Sequence, residues 1–104
     1  MSLARVAVLC PDLMFGSRVE EALRAAGHEV TRDRAGADAI VVDLTAEGLD
    51  IAEIARNASP TIGFYPHVDV ETRRRALEAG FDVVVPRSRM ARETAAVVER
   101  AMAA

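Results

Sequence analysis

The run Ala39-Ile40-Val41-Val42, bounded by Asp38 and Asp43, limits the fold of this chain more than any other segment. Four consecutive apolar residues, three of them β-branched, leave no polar face. The segment therefore reads as a strand covered on both sides, which is the position of a central strand in a parallel sheet. Parallel neighbours are joined by long crossovers, usually helices, so the remaining sequence should alternate strands with amphipathic helices.

That alternation is present. Residues 5–9 read as a first strand. Ser17 with Glu20 makes a capping box, Val19, Ala22, Leu23 and Ala26 recur at helical spacing, and Gly27 supplies a stop, so a helix is predicted over 17–26. Residues 28–32 read as a short second strand and 39–43 as the third. Asp50 with Glu53 repeats the capping logic ahead of Ile51, Ile54, Ala55 and Ala58, and Pro60 follows. A fourth strand covers 61–65. Asp69 can cap a helix that runs to Ala79 and stops at Gly80, and residues 81–85 form a fifth strand before Pro86. The last helix is predicted from Ser88. Met90, Thr94, Val97, Val98, Ala101 and Met102 form its inward stripe, with Arg92, Glu93, Glu99 and Arg100 on its solvated face.

One connection is too short. Only residues 33–38 separate the second strand from the third, and six extended residues reach about 20 Å, enough to return along the sheet but not to build a helix. The second helix is therefore missing or reduced to a turn. Part of the sheet beside the second strand needs other cover: a second copy of the chain, a partner helix, or the loop with its own bulky side chains.

At 104 residues the chain suits a single domain spanning 1–104. A net charge of −3, with arginines interleaved among acids, argues against nucleic-acid binding. Cys10 is the only cysteine, so neither an internal disulfide nor a zinc pair can form, and a cytoplasmic setting is expected. The first nine residues are too short and too soon followed by charge to be a signal peptide or a membrane span.

In this order, the pieces resemble the receiver (CheY-like) domain of two-component response regulators over positions 5 to about 101. Two segments carry the resemblance: 38–44, with Gly48 and Asp50 beyond it, and Ala76-Leu77-Glu78-Ala79-Gly80-Phe81-Asp82-Val83-Val84-Val85-Pro86. The resemblance implies a flavodoxin-like α/β fold, a doubly wound five-stranded parallel sheet of order 2-1-3-4-5. It places Asp43 at the phosphoacceptor position. Functional groups of such sheets gather at the carboxyl ends of the strands, here Cys10 to Asp12, Asp43, Tyr65 to His67, and Val85 to Arg87.

The same comparison exposes three departures. The acidic pair expected after the first strand is Cys10-Pro11, with Asp12 one place late. The lysine expected before the proline of the fifth strand is Val85, in a chain with no lysine at all. Arginine-rich composition accounts for exchange of surface lysines, but a guanidinium does not replace a compact ammonium where chemistry needs one. The small hydroxyl residue expected at the end of the fourth strand is Tyr65, followed by Pro66. No cofactor is therefore expected, Mg²⁺ held by Asp12 and Asp43 being the exception. Asp43 would pair with Arg87, accept a hydrogen bond from the Tyr65 hydroxyl, or stay solvated.

Other residues carry weaker signals. His67 lacks a spaced partner, so a local hydrogen bond explains it better than metal binding. Leu13, Met14 and Phe15 are expected in a loop that folds Leu13 or Phe15 under the sheet and leaves Met14 as a contact. Arg73-Arg74-Arg75 fits a solvated helix face.

The expected function is a bacterial signalling module that is not an enzyme. It would act by protein contact without aspartyl phosphorylation, alone or as a homodimer, through a face including Arg74, Arg87 and Arg89. With no effector domain in the chain, it would work through another polypeptide. One alternative is an active phosphoacceptor using Asp43 with Asp12 and Arg87. Another is a small-ligand site in a flavodoxin-like sheet, although no Gly-rich phosphate loop or nucleophile–base pair appears.

Overall fold

A computed structural model describes residues 4–57, 59–66 and 68–103. The order of elements is β1 (Arg5–Leu9), α1 (Leu13–Ala25), β2 (Glu29–Thr31), β3 (Ala39–Asp43), α2 (Ile51–Ala55), β4 (Thr61–Tyr65), α3 (Val70–Ala79), β5 (Val83–Pro86) and α4 (Arg87–Ala103). All strand pairings are parallel and the order is β2-β1-β3-β4-β5, the expected flavodoxin-like arrangement.

Every residue of β3 is buried, as its unbroken apolar run requires. The pleat divides the core into two layers. Val6, Val8, Val41, Ile62 and Phe64 face α1 and α4, where Val19, Leu23, Met90, Val97 and Val98 meet them. Ala7, Ile40, Val42 and Tyr65 face the other side, with Ile54 of α2 and Ala76 of α3. Phe81 belongs to this second layer, so β5 begins at Val83 and not at the predicted position 81.

The first helix starts four residues before the predicted Ser17. Asp12 is its N-cap: the carboxylate accepts the Phe15 amide at 3.1 Å, and the Asp12 carbonyl accepts the Gly16 amide at 2.8 Å. A Cβ on Gly16 would lie 3.3 Å from the Cys10 carbonyl oxygen, so glycine lets this first turn lie close against the end of β1. The segment read as a loop is thus helical. Phe15 is buried as expected, whereas Leu13 and Met14 are 75% and 87% exposed.

Asp50 and Asp69 cap α2 and α3 as predicted, and Gly80 ends α3 in the left-handed conformation, φ 110°. Helix α2 is a single short turn, and Ala58, assigned to it from the sequence, lies outside the described residues. Helix α4 begins at Arg87, one residue before the predicted Ser88, and kinks at Glu93.

No helix joins β2 to β3. The loop closes much of the gap itself. Ala37 is buried, and its carbonyl accepts the Ser59 hydroxyl at 2.6 Å. The Asp38 carboxylate accepts the Arg5 amide at 2.8 Å, and Arg34 reaches Glu53 of α2 at 2.9 Å. The strongly exposed large apolar residues among those described are Leu13, Met14, Val68, Val70 and Leu77, none of them on this loop. No helix among the described residues is long and apolar enough to cross a membrane.

Candidate functional site

Asp43 ends β3, opposite Phe64 of β4, and only 7% of it is exposed. Burial of a carboxylate demands hydrogen bonds, and the next turn supplies them. Its Oδ1 accepts the Thr45 amide at 3.0 Å and the Thr45 hydroxyl at 2.7 Å. The Ala46 amide donates to the Asp43 carbonyl at 3.1 Å, which closes the turn. The other oxygen, Oδ2, lies 4.0 Å from the Cys10 thiol.

Cys10 stands at the end of β1, half-buried, with its Sγ also 3.7 Å from the Asp12 carbonyl oxygen. Burial pushes its thiol pKa up, a backbone hydrogen bond from Asp12 opposes that, and the neighbouring charge of Asp43 adds to the rise. Asp43 therefore faces a protonated thiol, which can donate a weak hydrogen bond but brings no positive charge.

Asp12 is occupied at both oxygens. Oδ1 caps α1 through Phe15, and Oδ2 accepts Nη2 of Arg87 at 2.7 Å. The Phe15 amide first and the Arg87 guanidinium second hold this carboxyl below the usual carboxylate range. Arg87 also lies over the Phe15 ring, its Cζ 4.3 Å from the centroid, and Phe15 packs on Phe64 with centroids 4.9 Å apart. Asp12, Arg87, Phe15 and Phe64 thus form one continuous contact from the rim into the core. A surface cleft of about 520 Å³ lined by Asp12, Met14, Phe15, Arg18 and Arg87 opens beside it.

This geometry corrects the two expected partners of Asp43. Arg87 starts α4 on the α1 side of the sheet, and its guanidinium goes to Asp12 and the Phe15 ring. Tyr65 is buried in the α2–α3 layer, and the hydrogen bonds of Asp43 go to Thr45. Val85, at the lysine position, is buried in the α1–α4 layer. His67 lies outside the described residues. Among the described residues, no three His, Cys, Asp or Glu side chains converge to hold a metal ion.

The arginines of the expected contact face each hold acids of the chain. Arg74 reaches Glu71 and Glu78, with the second at 2.6 Å, and these carboxylates push its pKa up. Arg89 approaches Glu93 at 3.6 Å, and Arg87 is held by Asp12. The sequence reading missed Thr45 and the role of Phe15. A threonine two residues after an aspartate is a spacing that favours such a turn, and Asp12-x-x-Phe15 is the spacing of a cap and the amide it accepts.

No protein-family model and no curated protein sequence matches the chain. Solved structures do, response-regulator receiver domains among them. NtrX from Brucella abortus aligns with a TM-score of 0.84 and 22% identity over 98% of this chain, which spans only 27% of that protein. A response regulator receiver domain protein from Clostridium thermocellum gives 0.81 and 16% identity, covering 97% of this chain and 95% of the other. Full-length FixJ from B. japonicum gives 0.82 and 20% identity over 99% of this chain and 59% of the other. The chain has the receiver-domain fold of two-component response regulators.

Proposed function

We propose that this chain is a cytoplasmic bacterial signalling module that keeps the receiver fold and acts by protein–protein contact, without ordinary aspartyl phosphorylation at Asp43. The observation that carries this reading is Asp12, the one other carboxylate after β1, with both oxygens already committed to the α1 cap and to Arg87.

Transfer of a phosphoryl group to a carboxylate brings two anions together, so the site must supply compensating positive charge. Around Asp43 the chain supplies a protonated thiol, an amide and a hydroxyl, while Arg87, the arginine expected to reach it, serves Asp12. This donor set does not fit Mg²⁺, which takes oxygen ligands in a strict octahedron and has little affinity for sulfur. Tyr65 and Val85 spend their side chains on the core, so neither rim position offers a mobile polar group. What remains is a receiver-shaped surface, which suits constitutive binding to another polypeptide, as a monomer or a homodimer.

The test is a ¹⁵N spectrum of the chain titrated with Mg²⁺ and then beryllofluoride, a phosphoryl mimic. Amides of Asp12, Asp43 and Arg87 should stay in place. Saturable shifts at Asp43 that spread to α3 would make this a working phosphoreceiver and end the proposal.

A further inference from the structure

We infer that the helix-free side of β1 is a binding trough for a small organic monoanion with an apolar body, a ligand class such as a short aliphatic or aromatic carboxylate. Two clefts meet there. One, of about 270 Å³, runs past Cys10, Pro11, Ala46 and Glu47, and the other, of about 520 Å³, runs past Ala35, Glu53 and Asn57. Leu9, Arg32 and Leu49 line both, which makes the two clefts one trough along the end of β1. Volumes of this order are those of small-molecule sites.

The fold explains why the trough exists. Elsewhere the α2–α3 side of the sheet is covered by helices, but here six loop residues replace a crossover helix, and Leu9 and Leu49 remain only half-buried. A full helix docked from outside would need a broad apolar stripe, and two half-buried leucines are too little for that. They are enough for a compact apolar body.

The charge pattern selects the other end of the ligand. Arg32 is 77% exposed, and among the described residues the carboxylate paired with it is Glu20, 3.8 Å away on α1. Arg34 spends Nη2 on Glu53 and its Nη1 is buried, so Arg32 is the guanidinium open to a ligand. Of the acids at the trough, Asp33 accepts the Ala35 amide and Glu53 is held by Arg34. Glu47 lines the other cleft, with Cys10. The Arg32 guanidinium at the loop end and the Glu47 carboxylate in the other cleft orient a monoanion with its acid group toward Arg32 and its apolar body over Leu9 and Leu49. This site is independent of whether Asp43 accepts a phosphoryl group.

The experiment is a ¹⁵N titration of the whole chain with hexanoate, with acetate and hexanol as probes lacking the apolar body and the charge respectively. Saturable shifts of Leu9, Arg32 and Leu49 with hexanoate are expected, with weaker response to either control. Arg32→Ala should weaken hexanoate about tenfold, the loss of one charge-assisted hydrogen bond. Ala35→Glu, at an exposed position, should weaken it as well by repulsion. The wild-type-like spectra of both variants would show that the fold is intact. Absence of saturation with hexanoate, equal response to acetate or hexanol, or no effect of Arg32→Ala overturns the inference. Concentration-dependent shifts of these amides without any probe would assign the trough to contact between copies, and would equally overturn it.

Discussion

Arg87 lies against Asp12, with Nη2 2.7 Å from Oδ2, and its guanidinium covers the Phe15 ring. One residue thus ties the start of α4 to the start of α1 across the rim that holds Asp43. Arginine suits this place because its planar cation can accept a ring on its face while donating in its plane.

Substitutions at Asp12 should separate its two roles. Asp12→Asn keeps an oxygen that can cap α1 but loses the ion pair, and it should lower the thermal midpoint only slightly, as expected for an exposed pair. Asp12→Ala loses the cap as well and should lower it by a few degrees more. Differential scanning calorimetry of the two variants checks the order; equal midpoints would mean that the cap contributes nothing.

Acid should destabilise the chain partly through its capping carboxylates. Asp12 is held below the ordinary carboxylate range by the Phe15 amide and Arg87, and Asp69 by the Thr72 hydroxyl and amide. The unfolded chain therefore binds protons at these groups more readily than the folded one. Their contribution is fully present above the unfolded value, about pH 4, and is lost as pH falls through the lower folded values. Urea midpoints measured between about pH 6 and about pH 2 should fall less steeply in the Asp12→Asn, Asp69→Asn double variant than in the native chain.

The thiol beside Asp43 should be a poor nucleophile and a replaceable obstacle. Burial raises the Cys10 pKa, so its reaction with a disulfide reagent near pH 7 should be slower than that of a free cysteine peptide and should speed up as pH rises. Cys10→Asp places a second carboxylate near Asp43 Oδ2, now 4.0 Å from the sulfur. That variant should show saturable Mg²⁺ shifts at Asp43 where the native chain shows none. Mg²⁺ binding by the native chain would contradict the account of the site given above.

Gly63 is fixed by packing and not by its own backbone. A Cβ there would lie 2.7–2.9 Å from the Leu44 side chain. Gly63→Ala should cost about 1–3 kcal/mol, the range for overpacking a close-packed core. Adding Leu44→Val, which shortens the clashing side chain, should restore part of the loss, and a double-mutant cycle by urea unfolding measures it. Strict additivity would place the strain elsewhere.

Much of the fold was legible because its determinants are local and periodic. The unbroken run 39–42 required a strand covered on both faces, Asp50 and Asp69 announced their helices, and the six residues 33–38 left no room for a second helix. The start of α1 was misread because two cap signals compete there. Ser17 with Glu20 has the better sequence pattern, but Asp12 lies where the chain leaves β1, and Gly16 lets the helix begin at once. The sequence also brought Asp12, Asp43 and Arg87 to one rim, because strand order and strand ends follow from the alternation of elements. Which of them touch was decided by tertiary structure alone. Arg87 sits at the start of α4, on the side of the sheet where Phe15 and Asp12 stand, and the ring with its neighbouring carboxylate offers both stacking and a hydrogen bond. Asp43 is left to the turn that follows it, since Thr45 is two residues away and needs no long-range ordering to reach it. A linear pattern can state that charges share a rim, but their pairing depends on helix origins, ring positions and distances of a few ångströms, which only the packed chain defines.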